Sequence, residues 1–205
     1  MNVGDRPRVV LATANPGKLR EIRAILAGHA LDVVPQSEFG IVPTEEDGST
    51  FVANALIKAR HAARLSGLPA IADDSGLEVD ALQGGPGVRS ARYAGPTSSD
   101  AANIARLLRE LASVAEDRRT ARYRCAMVFV RDAHDAAPIV CEAVWEGRIA
   151  SSPRGGNGFG YDSVFLPAGG RTGTAAELDP DAKNRLSHRA HALQALAQAM
   201  RDAGW

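Results

Sequence analysis

The sequence predicts an α/β protein, built on an elongated mixed β-sheet flanked by helices, with two lobes around a central substrate cleft. Two observations carry that expectation. Strand-like and helix-like segments alternate through the first half, which favours parallel strands joined by helices. Two long strand-like runs then follow at about 121–131 and 138–149, joined only by Asp132 to Ala137, as in an antiparallel hairpin. Parallel and antiparallel signals in one chain make the sheet mixed. The 205 residues are read as a single domain spanning 1–205, and clefts of this kind are common ligand sites.

Each element has its own signal. Arg8 to Thr13 is a short β-branched run that stops at Asn15-Pro16-Gly17, strong turn chemistry. A helix follows, with Leu19, Ile22, Ile25 and Leu26 at helical spacing, and then a strand at 31–35. Residues 41–49 are acidic and turn-rich. Thr50 is placed to N-cap a helix over 51–66, with Phe51, Ala55, Ala59 and Ala62 along one side. Pro69 to Asp73 reads as an apolar strand ending on two carboxylates. Leu77 to Leu82 is again extended until Gly84-Gly85-Pro86-Gly87 breaks it. A third helix is expected over about 99–115, with Ile104, Leu107, Leu108 and Leu111 inward. The last helix starts at Ser187 and runs to about 202, burying Leu193, Leu196 and Met200.

Composition excludes several function classes. Lysine plus arginine equals aspartate plus glutamate, so no net charge argues for nucleic acid or an anionic membrane as partner. No stretch approaches the roughly 20 apolar residues of a membrane span. Cys125 and Cys141 form no CxxC pair and read as reduced thiols, with a disulfide between adjacent strands as the alternative; together with the short apolar runs this makes a cytoplasmic location the expectation.

Four segments carry chemistry. Thr13, Ala14, Asn15, Pro16, Gly17 and Lys18 span a strand–turn–helix junction. Unpaired helix N–H groups and the Lys18 charge would favour an anion there, although the spacing is not that of a Walker loop. The same residues also read as an ordinary turn with a solvated lysine. Two acidic groups, Glu45-Glu46-Asp47 and Asp73-Asp74, place neighbouring carboxylates together, and a divalent cation between them would remove the repulsion, although 45–47 also reads as a solvated surface loop. Mg²⁺ takes one or two carboxylates plus waters and phosphates. The glycine-rich run ending in Phe159-Gly160-Tyr161-Asp162 allows close backbone approach and offers two rings for stacking; it also reads as a hairpin loop with two core aromatics. Finally, Lys183 precedes Ser187-His188-Arg189 at a helix start, where cations oppose the helix dipole unless an anion or polar base sits in front.

Taken together, these segments resemble the inosine triphosphate pyrophosphatase family, the Ham1-like enzymes acting on non-standard purine nucleotides. The resemblance runs in order through LATANPGKLREI (11–22), the acidic loop and NALIKA (45–59), AIADDSGLEVDALQGGPGVRSARYAG (70–95), GFGYD (158–162) and Lys183 with Ser187-His188-Arg189. It implies a Mg²⁺-dependent, homodimeric enzyme that hydrolyses ITP, dITP and XTP to the monophosphate and pyrophosphate, with neither nucleic acid nor membrane as partner. By matching position, Thr13 to Lys18 would cradle phosphates and sugar. Glu45 or Glu46 and Asp74 would hold the metal, Asp74 would also activate water, and Ser75 would touch substrate. Phe159 to Asp162, Lys183, His188 and Arg189 would line the base pocket. The chain departs from the family pattern at Asp47, where a threonine is usual, at Ala53, where an acid is usual, and at Ser163, where a proline is usual. A pyrimidine or modified nucleotide as substrate, or a nucleotide-binding module without hydrolysis, are the alternatives.

Overall fold

A computed structural model describes residues 6–169 and 172–205. Its strands are β1 (Arg8–Leu11), β2 (Asp32–Pro35), β3 (Ala70–Val79), β4 (Thr120–Val130), β5 (Ile139–Ile149) and β6 (Phe165–Pro167). Its α-helices are α1 (Pro16–Leu26), α2 (Phe51–Ser66), α3 (Asp100–Glu110), α4 (Pro180–Leu186) and α5 (His188–Asp202). The strands form one sheet in the order β2-β1-β3-β4-β5-β6. β1 runs parallel to β2, with Arg8 opposite Asp32, and parallel to β3, with Val10 opposite Ala70. β5 and β6 are antiparallel, with Arg148 opposite Leu166. The sheet is therefore mixed, as expected.

The chain divides into two compact units. One comprises the residues up to Asp74, Cys125–Ala143 and Arg189–Trp205; the other comprises Ser75–Arg124 and Val144–His188. In the first unit the sheet is buried on both faces, and strand alternation decides which helix each residue meets. Val9, Leu11, Ile71, Met127 and Phe129 pack with Ile22 and Leu26 of α1 and with Leu193, Leu196 and Met200 of α5. The residues in between, Val10, Ala12, Ala70, Ala72, Val128 and Val130, pack instead with Ala55, Ala59, Ala62 and Ala63 of α2. That second contact is made largely of alanines, so α2 lies close against the strands. In the second unit, Leu77, Val79, Tyr123, Trp145 and Phe165 form a core with Leu107 of α3 and Leu111 just beyond its end.

The helix ends follow the expected chemistry. Asn15 caps α1 by accepting from Gly17 and Lys18 N–H, and Thr50 caps α2 by accepting from Ala53 N–H. Gly67 ends α2 at φ 70°, a left-handed conformation suited to glycine. Between β4 and β5, Asp135 accepts from the backbone N–H of Arg131 and Ala137, both at 2.9 Å, and from the Arg131 guanidinium at 2.7 Å.

Three boundaries differ from the sequence reading. The third helix stops at Glu110 instead of about 115, where Ser113 and Val114 are poor helix formers. A separate helix, α4, precedes α5; Asp179 caps it and Pro180 is its first residue. Most importantly, β3 does not end at the two aspartates but runs on through Asp73-Asp74-Ser75-Gly76 to Val79. It is β1 that stops, its last register pair being Leu11 with Ile71. The aspartates thus lie just past the end of the β1–β3 ladder while remaining inside a strand.

Candidate active site

Strand alternation separates the two aspartates. Asp73 is in phase with Ile71, whose face packs on α1 and α5; Asp74 is in phase with Ala70 and Ala72, whose face packs on α2. Their carboxylates therefore find different partners. Repulsion between them is relieved within the protein, since each carboxylate has side-chain cations of its own.

Asp74 meets two residues of α2, one turn apart. Lys58 Nζ approaches its Oδ1 at 2.9 Å, and Asn54 Nδ2 donates to its Oδ2 at 3.2 Å. The same ammonium reaches Glu46 Oε2 at 3.2 Å, which joins the acidic loop to the strand. Asn54 completes the link, since its Oδ1 accepts from Gly48 N–H at 2.8 Å. A Cβ on Gly48 would lie 2.6 Å from that oxygen, so the loop's approach to α2 requires glycine. Of the two candidate glutamates, Glu46 joins this arrangement, and Glu45 is exposed. Burial alone would lower the Lys58 pKa, but Asp74, Asp73 and Glu46 outweigh it and raise it.

Asp73 is fully enclosed between Lys18 of α1, at 2.9 Å, and the Nε of Arg189 in α5, at 3.4 Å. Arg189 also pairs with Glu21 of α1 through Nη1. Burial favours the neutral acid, yet Lys18, then Arg189 and Lys58, hold the carboxyl well below the usual range. The anion called for by the Arg189 charge at a helix start is supplied, at least in part, by the protein's own carboxylates. The 13–18 turn needs a further correction. Its helix N–H groups are not unpaired: those of Gly17 and Lys18 are taken by Asn15 Oδ1, and that of Leu19 by the Asn15 carbonyl. What this turn offers an anion is chiefly the Lys18 charge.

In the second unit the 158–162 loop is organised by Asp162, which is buried. Its Oδ2 accepts from Phe159 N–H at 2.9 Å and from Lys183 Nζ at 2.5 Å, and its Oδ1 accepts from the Tyr123 hydroxyl at 3.2 Å. Gly158 sits at φ +77°, and a Cβ there would fall 2.0 Å from the Asp162 carboxylate. From outside, Asp100 of α3 accepts from Gly160 N–H at 2.6 Å. The Lys183 ammonium lies 4.9 Å from the centre of the Phe159 ring, and His188 stacks on Tyr123 with ring centres 4.6 Å apart. The expectation of two stacking rings is corrected by half. Phe159 is partly exposed, but Tyr161 points into the core, where its hydroxyl donates to the Ser90 carbonyl at 2.8 Å. Burial raises the Tyr161 pKa accordingly.

The donor set suits a hard cation. Glu46 and Asp74 present carboxylate oxygens already bridged by an ammonium, and Mg²⁺ binds through one or two carboxylates with waters and phosphates completing its shell. No group of three or more His, Cys, Asp or Glu side chains able to hold a metal occurs among the described residues. A site of this kind would therefore lean on the substrate for ligands.

The sequence reading did not single out Asn54, Lys58, Glu21, Tyr123 or Asp100. Asn54 and Lys58 could have been found, because they sit at i and i+4 beside the alanine stripe of α2. Tyr123 looks like any strand aromatic, and Asp100 like any acid in a helix's first turn, so neither carried a signal.

Comparison with known proteins places the chain. The Ham1 family model matches residues 9–199, and the chain belongs to that family. It is 58% identical over 197 residues to a dITP/XTP pyrophosphatase of Methylococcus capsulatus, covering 96% of this chain and 97% of that one. A dITP/XTP pyrophosphatase of Vibrio cholerae is 51% identical, with 95% and 97% covered. Among solved structures, a HAM1 protein from Coxiella burnetii superposes with a TM-score of 0.85 at 45% identity, over 96% of this chain and 99% of the other. The Staphylococcus aureus Ham1 protein gives 0.83 at 37% identity, with the same coverage.

Proposed function

We propose that this chain hydrolyses non-standard purine nucleoside triphosphates, ITP, dITP and XTP, to the monophosphate and pyrophosphate with Mg²⁺. The observation that carries the reading is the placement of Asp74. Its carboxylate sits beside Glu46 and Lys58 and is oriented by Asn54, while Asp73, the preceding residue of β3, pairs with Lys18 and Arg189. Such a set can hold a metal-bound triphosphate and take a proton from water. The names of the 50–58% identical relatives support the substrate class.

In this reading Asp74 orients and deprotonates the water that attacks the α-phosphorus, and pyrophosphate leaves. Lys18, within the Thr13 to Lys18 turn, neutralises phosphate charge, and Ser75, next to Asp74, touches the substrate. Mg²⁺, held by Glu46 and Asp74, supplies charge neutralisation when bound. Phe159 to Asp162, Lys183, His188 and Arg189 serve the base. Phe159 offers its ring, Asp162 fixes the loop, and Lys183 and Arg189 donate hydrogen bonds to an oxygen-bearing edge. Arg189 does this while braced by Glu21 and Asp73. A homodimer in the cytoplasm is the accompanying expectation; the free thiols of Cys125 and Cys141 agree with a reducing compartment.

The deciding experiment is pyrophosphate release from ITP, XTP, dITP, GTP, ATP, dTTP and UTP, with Mg²⁺ and with EDTA. ITP and XTP should exceed ATP in kcat/KM by ~10⁴, since a site built to hydrogen-bond one group rejects analogues that leave it unpaired. Activity should vanish in EDTA and return with Mg²⁺. Equal values for ATP and ITP would end the base assignment, and full activity in chelator would end the metal assignment.

A further inference from the structure

Lys58 has no role in the reading above, yet its position is specific. It lies one turn beyond Asn54 on α2, its side chain is largely buried, and its ammonium contacts Glu46 at 3.2 Å and Asp74 at 2.9 Å. Those are the two carboxylates the proposed function assigns to the metal, and the inference rests on that assignment. We propose that Lys58 is a resident stand-in for the divalent cation. In the enzyme without nucleotide, its ammonium bridges the two carboxylates and competes with metal for them. Metal is then taken up together with the nucleotide and not ahead of it.

The geometry supports competition over mere proximity. Asn54 fixes Asp74 by donating to Oδ2, while Gly48 N–H anchors the Asn54 carbonyl. The carboxylate oxygen that Asn54 does not engage is Oδ1, and Lys58 contacts it. An incoming divalent ion must share that oxygen with a like charge only a few ångströms away, which weakens its binding. A polyanionic nucleotide changes the balance, because its phosphate oxygens give the displaced ammonium a new partner. Lys58 thereby spares the free enzyme an uncompensated pair of carboxylates and still leaves the site open to a metal–nucleotide complex.

The test uses Mn²⁺ alone as probe, with free ion counted by electron paramagnetic resonance in enzyme lacking nucleotide. Lys58→Met keeps most of the length of the side chain and removes its charge. It should bind Mn²⁺ at least tenfold more tightly than wild type, in line with removing one positive charge beside a divalent ion. Lys58→Gln should behave the same way and serves if the methionine variant folds poorly. Lys58→Arg, which restores a cation, should return affinity to near the wild-type value; a general loosening of the site would not be rescued in this way. Unchanged or weaker Mn²⁺ binding in the neutral variants overturns the proposal while leaving the metal carboxylates in place. Tighter binding in Lys58→Arg as well overturns it too. If no Mn²⁺ binds to wild type or to any variant, the metal assignment of Glu46 and Asp74 fails, and the proposal fails with it.

Discussion

Asp73 and Asp162 are both buried aspartates that receive a lysine, but their surroundings differ in kind. Asp73 lies among charges: Lys18 and Arg189 contact it, Glu21 shares Arg189, and Asp74 next along the strand shares Lys58 with Glu46. Asp162 pairs with Lys183 and otherwise with a backbone amide and the hydroxyl of Tyr123, whose own ring packs against Phe165 and His188. The first arrangement manages charge and is suited to phosphate and metal. The second fixes a loop and ring geometry and is suited to reading the shape and hydrogen bonds of a base. The two buried ion pairs thus lie in surroundings suited to different tasks.

The largest expected effect tests that contrast through stability. Asp73→Asn leaves Lys18 and Arg189 without their shared buried carboxylate, and breaking a buried pair costs about 3–5 kcal/mol. Asp162→Asn keeps an oxygen for the Phe159 amide and leaves a single ammonium short of its anion, which should cost about 1–3 kcal/mol. Urea unfolding at neutral pH reads both. Equal losses would show that the two sites are not electrostatically different.

Next comes chemistry without stability. Asp74→Asn removes the proposed base and a metal charge while keeping the shape of the side chain. A loss of at least ~10² in kcat is expected, in line with general-base help alone. The stability loss should be far smaller than for Asp73→Asn, because Lys58 retains Glu46. A variant keeping more than a third of wild-type turnover would remove Asp74 from the mechanism.

That neighbouring aspartates should act so differently was only half legible in the sequence. The Asp73-Asp74 pair, the acidic loop and the α2 cap at Thr50 could all be read from residue types and spacing. Read as the end of a strand, however, the pair suggested one shared problem of repulsion. The structure keeps the strand going, and alternation then sends Asp73 to α1 and α5 and Asp74 to α2. Which helix covers which face is a tertiary fact with no local signal. The same limit applies to Tyr161, whose place in the glycine-rich run looked like a stacking ring until packing put it in the core. Asn15 shows a different gap. Its capping power was readable from its place before Pro16-Gly17, and following it through would have shown the helix N–H groups already satisfied.

Base reading and phosphate handling separate in a pair of substitutions. Arg189→Ala should lower the ITP-to-ATP ratio of kcat/KM by about tenfold, the loss of a hydrogen bond from a charged donor being worth about 1.5–3 kcal/mol. Lys18→Ala should weaken both substrates alike, since both carry the same triphosphate. Both variants will lose some stability, because each removes a partner of Asp73. The ratio is the informative quantity, as a purely structural loss cancels from it. One common factor for both substrates in Arg189→Ala would make Arg189 solely a holder of Asp73 and Glu21.

The smallest effect belongs to Asp100, at the outer edge of the aromatic site. It is the first residue of α3 after the Ser99 cap, where a carboxylate is favoured by the helix dipole. From there it accepts from Gly160 N–H at 2.6 Å, and Gly160 sits at φ +61°. Asp162 holds the loop at Phe159, so Asp100 is a second anchor one residue further on. The bond is exposed, which limits its worth to about 1 kcal/mol. If the loop positions the base, Asp100→Ala should raise KM for ITP by about fivefold and leave kcat within a factor of two. Asp100→Asn keeps an acceptor oxygen in place and should recover most of that loss, which a mere change of helix-end charge would not. Hydrogen exchange gives a readout that does not depend on the substrate: the Gly160 amide should be protected in the wild type and in Asp100→Asn, but exchange faster in Asp100→Ala. An unchanged KM together with faster exchange would mean that the loop is anchored as described but does not touch the base, and the geometric half of the comparison would then lose its function while keeping its structure.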